Sequence, residues 1–85
     1  MTQEIRLHPH AEQRLAERGA TREEVFATVQ WGEKIPAKFE RTGFRRNFPF
    51  SGSWRGRRYK TKQVEAYAVN ENGDWLVLTV LVKYF

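Results

Sequence analysis

Apolar residues recur every three or four positions in the first third of the chain and alternate in the last third. The middle is more polar and irregular. Ala11 and Leu15 lie four apart and mark a narrow apolar stripe, predicting a first helix over about Pro9–Arg18. Proline suits the first helical position because its missing N–H has no partner there. Gly19 suits the stop, since glycine readily takes the left-handed conformation that closes a helix. Thr21 opens a second helix with a capping box: its hydroxyl accepts from the Glu24 N–H while Glu24 reaches back. Val25, Phe26 and Val29 give that helix one apolar side, and Gly32 ends it after Trp31. A connection of about two residues makes the helices an antiparallel or steeply crossed pair. Neither is long enough to be stable alone, so both must pack on something else. Glu4–Leu7 reads as a short strand or as a lead into the first helix.

That support is a sheet. Glu33–Glu40 contains Ile35 and Phe39 but also Pro36, which suits an edge strand. Phe44–Phe50, with Pro49, reads as a short edge strand or an ordered loop. Ser51–Gly56 is turn-forming and the most mobile stretch on this reading. Tyr59–Val69 and Trp75–Tyr84 are rich in Val, Leu, Tyr and Thr and predict the two principal strands. Asn72–Gly73 joins them as a hairpin. A two-residue loop sets Glu65 opposite Val80 on the buried side, which is costly for a carboxylate. A three-residue loop over Glu71–Gly73 pairs Ala68 with Leu76, Ala66 with Leu78 and Val64 with Val80. That register is preferred because it gives one apolar face. Its other face carries Thr61, Gln63, Glu65, Tyr67, Thr79 and Lys83, with Trp75 and Leu81 among them. The expected fold is α+β: one domain over residues 1–85, with two N-terminal helices packed on a three- to four-stranded antiparallel sheet.

Composition narrows the setting. Eighty-five residues with 40% hydrophobic content, including 3 Trp, 3 Tyr and 6 Phe, suffice for one core. There is no cysteine, which for so small a domain favours a reducing cytoplasm over secretion. Met1–Arg18 is polar and lacks the apolar run of a leader, and Trp75–Val82 is too short to cross a bilayer. Net charge is +5, and Arg41–Lys62 holds eight basic residues and no acidic one. Such a segment is the electrostatic footprint expected for a polyanion, foremost nucleic acid. Phe44, Phe48, Phe50, Trp54 and Tyr59 lie among the charges and suit base stacking. The plainer alternatives are a solubilising loop or a surface that docks an acidic protein.

The residues available for chemistry narrow the choice further. Two histidines two apart, without cysteines or a clustered carboxylate set, make a poor metal site. No Gly-rich phosphate loop or Gly-x-Ser-x-Gly element appears, so nucleotide cofactors have no visible cradle. What remains is His, Arg, Lys, Tyr and Glu, the kit for metal-free RNA cleavage. Histidine suits either proton transfer, and arginine or lysine suits the crowded phosphate. His10, Arg14, Glu17 and Arg18 fall along one edge of the first helix. Each candidate also has a duller reading. His10 is equally a helix-start residue, and His8 a cap. Arg14 and Arg18 are equally partners of Glu17 or of the helix-end carbonyls. Glu65 and Tyr67 pass as solvent-face residues, Thr79 as a strand filler, and Lys83 as a guard against edge pairing.

His10-x-x-x-Arg14-x-x-x-Arg18-Gly19, a capped second helix, and a last strand with Leu78-Thr79-Val80 resemble the small bacterial domain-of-unknown-function family 4258. Members of that family look like relatives of RelE-type ribonuclease toxins. The resemblance implies a metal-independent endoribonuclease that acts on RNA, in some cases on the ribosome, and is neutralised by a cognate antitoxin. On it, His10 acts as general acid or base, Arg14 and Arg18 steady phosphate, and Lys83 adds charge from the sheet. Tyr67 or Glu65 assists proton transfer, and Thr79 faces the same hollow. Arg45, Arg46, Arg57, Arg58 and Lys60 grip the RNA backbone, with Trp54 offering a stacking surface. The rival readings are a non-catalytic nucleic-acid-binding module and an adaptor for an acidic protein partner.

Overall fold

A computed structural model describes residues 4–85; Met1–Gln3, the start of the stretch read for a leader, lie outside the described residues. Among the described residues the order is β1 (Ile5–Leu7), α1 (Pro9–Arg18), α2 (Arg22–Trp31), β2 (Glu33–Ile35), β3 (Thr42–Trp54), β4 (Arg57–Glu71) and β5 (Asp74–Tyr84). The five strands form one sheet in the order β1-β5-β4-β3-β2. No helix of the described residues is long and apolar enough to cross a membrane.

The expected fold needs correction. The sheet is mixed and five-stranded, because β1 pairs in parallel with β5, Ile5 opposite Trp75 and Leu7 opposite Val77. The helices are therefore not an N-terminal pair laid on an antiparallel sheet: a strand precedes them. Three residues give only one cycle of alternation, too little to separate a strand from a lead-in segment. β3 is also longer than expected and continues, past a register shift between Pro49 and Gly52, through Ser51–Trp54 of the Ser51–Gly56 stretch read as turn-forming. Only Arg55 and Gly56 form the turn into β4, both with positive φ. Pro49 is tolerated because β2 covers only Gly43–Arg45 of that edge, so the missing N–H breaks no ladder.

The helix ends follow their sequence signals. His8 caps α1, its Nδ1 accepting from the His10 N–H at 3.1 Å. Thr21 and Glu24 form the reciprocal capping box of α2. Gly19 closes α1 at φ +77°, and a Cβ there would stand 2.2 Å from the Tyr84 hydroxyl and 2.8 Å from the Trp54 ring. Glycine is thus needed twice: for the turn itself, and because Trp54 at the end of β3 and Tyr84 at the end of β5 lie on the end of the helix.

The β4–β5 hairpin does not form the preferred three-residue loop; near its turn it follows the two-residue register, and beyond Ala68 neither register. Asn72 and Gly73 both have positive φ and form a two-residue turn, Glu71 opposite Asp74. An uninterrupted ladder would then bring Glu65 to the core. Leu78 instead stands as an extra residue between the Ala68–Val77 and Tyr67–Thr79 pairs, a β-bulge that resets Ala66 opposite Val80. Val64, Ala66, Ala68, Val77 and Val80 all reach the core, packed with Leu15, Val25, Val29 and Phe44. Trp75, expected on the polar face, packs against this core and meets Phe44 edge-on at 5.1 Å. Leu76 and Leu78, expected inward, are only partly buried and outside it.

Candidate active site and nucleic-acid interface

α1 lies over β5, and β1 pairs with β5 only as far as Val77. Beyond that point the outer edge of β5 is left to the helix. Arg18 reaches it and donates from Nη1 to the Val80 carbonyl at 2.9 Å. This contact uses one of the five donors of the guanidinium and holds the rest in place. One turn and two turns earlier, Arg14 and His10 follow on the same flank, as their spacing predicts. The three side chains line a hollow of about 50 Å³ with Ala11 and the Leu78–Val80 strand segment, Thr79 included. His10 is exposed, and its ring makes no hydrogen bond to a described residue. Arg14 is loosely held, its Nε 4.0 Å from Glu17. The hollow has room for part of a phosphate group and not for a nucleobase.

Arg18 also lines a second hollow with Glu17, Trp54, Arg55, Leu81 and Tyr84. Here the hairpin end is fastened to the helix end. Arg55 donates to the Glu17 carbonyl at 3.2 Å, the Tyr84 hydroxyl donates to the Arg18 carbonyl at 3.1 Å, and Trp54 stacks on Tyr84 at 5.2 Å. A cationic path therefore runs along the edge of β5 from His10 past Arg14 and Arg18 to Arg55. The consequence is that Trp54, expected to stack on bases, is engaged with Tyr84 and Gly19. Burial, followed by the charge of Glu24, raises the Tyr84 hydroxyl above the ordinary tyrosine range; Arg55 opposes the shift.

Glu65, Tyr67 and Lys83 do not line the His10 hollow. Strand alternation places Glu65 and Tyr67 opposite the buried Val64, Ala66 and Ala68, on the face that carries no helix. There Glu65 is only 5% exposed. Its Oε2 accepts from the Tyr67 hydroxyl at 3.1 Å, and its Oε1 pairs with the Lys83 ammonium at 3.2 Å. Burial first, and the hydrogen bond and charge of Glu65 second, raise the Tyr67 hydroxyl above its ordinary range, against the pull of Arg45. This cluster satisfies itself.

The basic segment also divides. Lys62, read as part of the polyanion footprint, is buried: its ammonium donates to the Gly19 carbonyl at 2.6 Å and pairs with Glu24 at 2.8 Å. Arg45 pairs with Glu33, and Arg46 lies over the Phe48 ring, both near the β2 side of the sheet. Arg57, Arg58 and Lys60 are exposed at the far end of the hairpin, unpaired with any carboxylate among the described residues. Of the five interleaved aromatics, Phe44 is core, Phe48 packs on it, and only Phe50 and Tyr59 border an open surface among these charges. Arg55 and Lys62 are the functional placements that the sequence reading missed. Nothing in a run of basic residues distinguishes a cation that closes a helix from one that meets solvent.

No known protein family, curated protein or solved structure matches the chain. Among the described residues, no group of three or more His, Cys, Asp or Glu gathers as metal ligands would. What the hollow offers is one imidazole and two guanidiniums along the outer edge of β5, with the Leu78–Val80 segment as its floor; Thr79 pairs with Tyr67, so its hydroxyl is set on the helix-free face.

Proposed function

We propose that the protein is a metal-independent endoribonuclease, cleaving RNA at the hollow between α1 and β5. The observation that carries this reading is the convergence of His10, Arg14 and Arg18 with Thr79 on one small hollow. In the reaction the RNA 2′-oxygen attacks its neighbouring phosphorus, the O2′–P bond forms and the P–O5′ bond breaks. A cyclic phosphate and a free 5′-hydroxyl result. The proton leaving O2′ passes to the His10 imidazole, and O5′ takes its proton from the imidazolium so formed or from solvent. His10 serves as the proton-transfer group, since the imidazole is the one side chain in the hollow suited both to take and to give a proton. Arg18, already oriented by Val80, and the more mobile Arg14 meet the negative charge on the phosphate. The resemblance of His10-x-x-x-Arg14-x-x-x-Arg18-Gly19 to the uncharacterised family and its RelE-type relatives supplies a biological setting: a toxin held in check by an antitoxin.

The test is cleavage of free and ribosome-bound RNA by the wild-type protein and by His10→Ala. The reading expects cleavage that the substitution abolishes, with RNA affinity and fold retained. Wild-type protein that cuts neither substrate removes it. The second reading, a non-catalytic RNA-binding module, is favoured by one observation, the exposed and unpaired Arg57, Arg58 and Lys60 at the hairpin end. It expects RNA affinity that falls with salt and no product.

A further inference from the structure

The β3–β4 hairpin carries a third opening, separate from both hollows at α1 and different in chemistry. It is an open basin of about 540 Å³, bordered by Phe50, Tyr59 and Phe85 and by Arg58 and Lys60. Its size is that of a small-molecule site rather than of an ion. The rings are set by packing from behind. Phe50 meets Tyr84 edge-on at 5.1 Å, and Tyr59 leans on the same ring at 5.6 Å. Phe85 is anchored through its backbone, its carbonyl accepting from the N–H groups of both Lys60 and Thr61 at 3.1 and 2.7 Å. Yet the Phe85 residue remains 58% exposed. A large aromatic side chain is thus held in water by a fixed main chain, beside two cations that pair with no side-chain carboxylate among the described residues.

From this we infer that the basin is a subsite for one unpaired nucleotide of single-stranded RNA, the base stacking on Phe85 and its neighbours and the adjoining phosphate meeting Arg58 and Lys60. The charge selects a polyanion, and the aromatic lining selects one whose units carry π-faces, which an acidic peptide lacks. Paired bases hide those faces, so duplex RNA does not fill the basin. For its ligand the inference rests on the RNA reading above. It places a binding determinant outside the reacting hollow, one that fixes a flanking nucleotide rather than the cleaved bond.

Fluorescence anisotropy with a labelled single-stranded RNA of about six nucleotides tests it, in a His10→Ala background so that no substrate is consumed. Phe85→Ala is expected to weaken binding about tenfold, the loss of one base–aromatic stack. Phe85→Leu, which keeps apolar bulk and lacks a π-face, is expected to lose nearly as much. Both should leave the dependence of affinity on salt unchanged. Arg58→Gln with Lys60→Gln should instead flatten that dependence, by about 0.7 in log–log slope for each phosphate no longer neutralised. Neither phenylalanine substitution should alter binding to duplex RNA of equal length. Unchanged single-strand affinity in both Phe85 variants, an equal loss on duplex RNA, binding confined to a single-stranded DNA oligomer, or displacement by polyglutamate as effective as by RNA would each overturn the inference. Because the measurement needs no turnover, it stands if wild-type protein proves unable to cut RNA. Conversely, cleavage that depends on His10 survives if the basin fails.

Discussion

The His10 hollow and the Glu65 cluster both border the β4–β5 hairpin, one between α1 and the edge of β5 and one on the helix-free face. They differ in what their polar groups are doing. In the cluster, both oxygens of a 5%-exposed carboxylate already have partners, a tyrosine hydroxyl and an ammonium. Its hydrogen-bonding capacity is largely used in holding strands together. In the hollow, the imidazole bonds to no described residue, Arg14 is barely tethered, and Arg18 has committed one donor of its five. A ligand gains from groups that have not been satisfied elsewhere, so burial and partnership argue for structure while exposure with convergence argues for function. Perturbed ionisation by itself points the wrong way here. The raised hydroxyl of Tyr67 belongs to the cluster and has a sufficient structural cause.

The largest effect that separates the two regions is on turnover. His10→Ala is expected to reduce RNA cleavage by about 10²- to 10⁴-fold, the usual contribution of a positioned proton-transfer group. Its folding free energy should stay within about 0.5 kcal/mol of wild type, since the ring is exposed and unbonded. Glu65→Ala should do the reverse. Leaving the half-buried Tyr67 hydroxyl without its acceptor costs about 1 kcal/mol. Because Lys83 is 65% exposed, its share of the pair is small, and Lys83→Ala should cost under about 1 kcal/mol. Urea unfolding and single-turnover cleavage on the same variants read both quantities. A Glu65→Ala protein that folds as wild type but cannot cut RNA would reverse the two assignments.

A smaller contrast lies within the basic segment. Lys62 is paired and buried, whereas Arg57 is exposed at the hairpin end. Lys62→Met is expected to lower stability by about 1 kcal/mol, through the uncapped Gly19 carbonyl and the released Glu24. It should leave the salt dependence of RNA affinity unchanged. Arg57→Gln should leave stability unchanged and flatten the salt dependence. The same slope from both variants would mean that the footprint is the whole segment after all.

The legible parts of this molecule are those with local causes. Pro9, Gly19, Thr21 and Glu24 specify two helices through backbone chemistry that acts within four residues, and both helices stand where those signals put them. The flank shared by His10, Arg14 and Arg18 follows from helical spacing alone. Thr79 borders the hollow because β5 lies beneath, although its pairing with Tyr67 sets its side chain on the helix-free face, where the apolar pattern had put it. The remainder depends on longer-range events. The bulge at Leu78 reconciles an Asn-Gly turn with an inward Ala66 and an outward Glu65, and no local signal distinguishes Leu78 from its neighbours. β1 is a strand because β5 offers it an edge. Trp54 and Lys62 lie against Gly19 because the hairpin twists back over the helix end, so their roles are tertiary and their sequence context is silent about them.

The smallest predicted effect is on the pH dependence of stability, and it tests whether the two tyrosines are structural. Both hydroxyls are raised above the ordinary tyrosine value of about 10, so the folded protein holds those protons more tightly than the unfolded chain. Stability from this source is therefore fully present below about pH 10 and is lost as pH rises through the folded values. Tyr67→Phe removes one such group at the helix-free face, and Tyr84→Phe removes the other at the helix end. Each variant should lose less stability between about pH 9 and about pH 11 than wild type, with the double variant flattest. Below neutral pH the Tyr67→Phe protein should keep cleaving RNA, since its hydroxyl serves Glu65 and not the hollow. Urea midpoints measured across that alkaline range give the first result, and a cleavage assay gives the second. If Tyr67→Phe abolished cleavage with its alkaline stability profile unchanged, the hydroxyl would have to reach the reacting phosphate, and the division between a satisfied cluster and an open hollow would no longer hold.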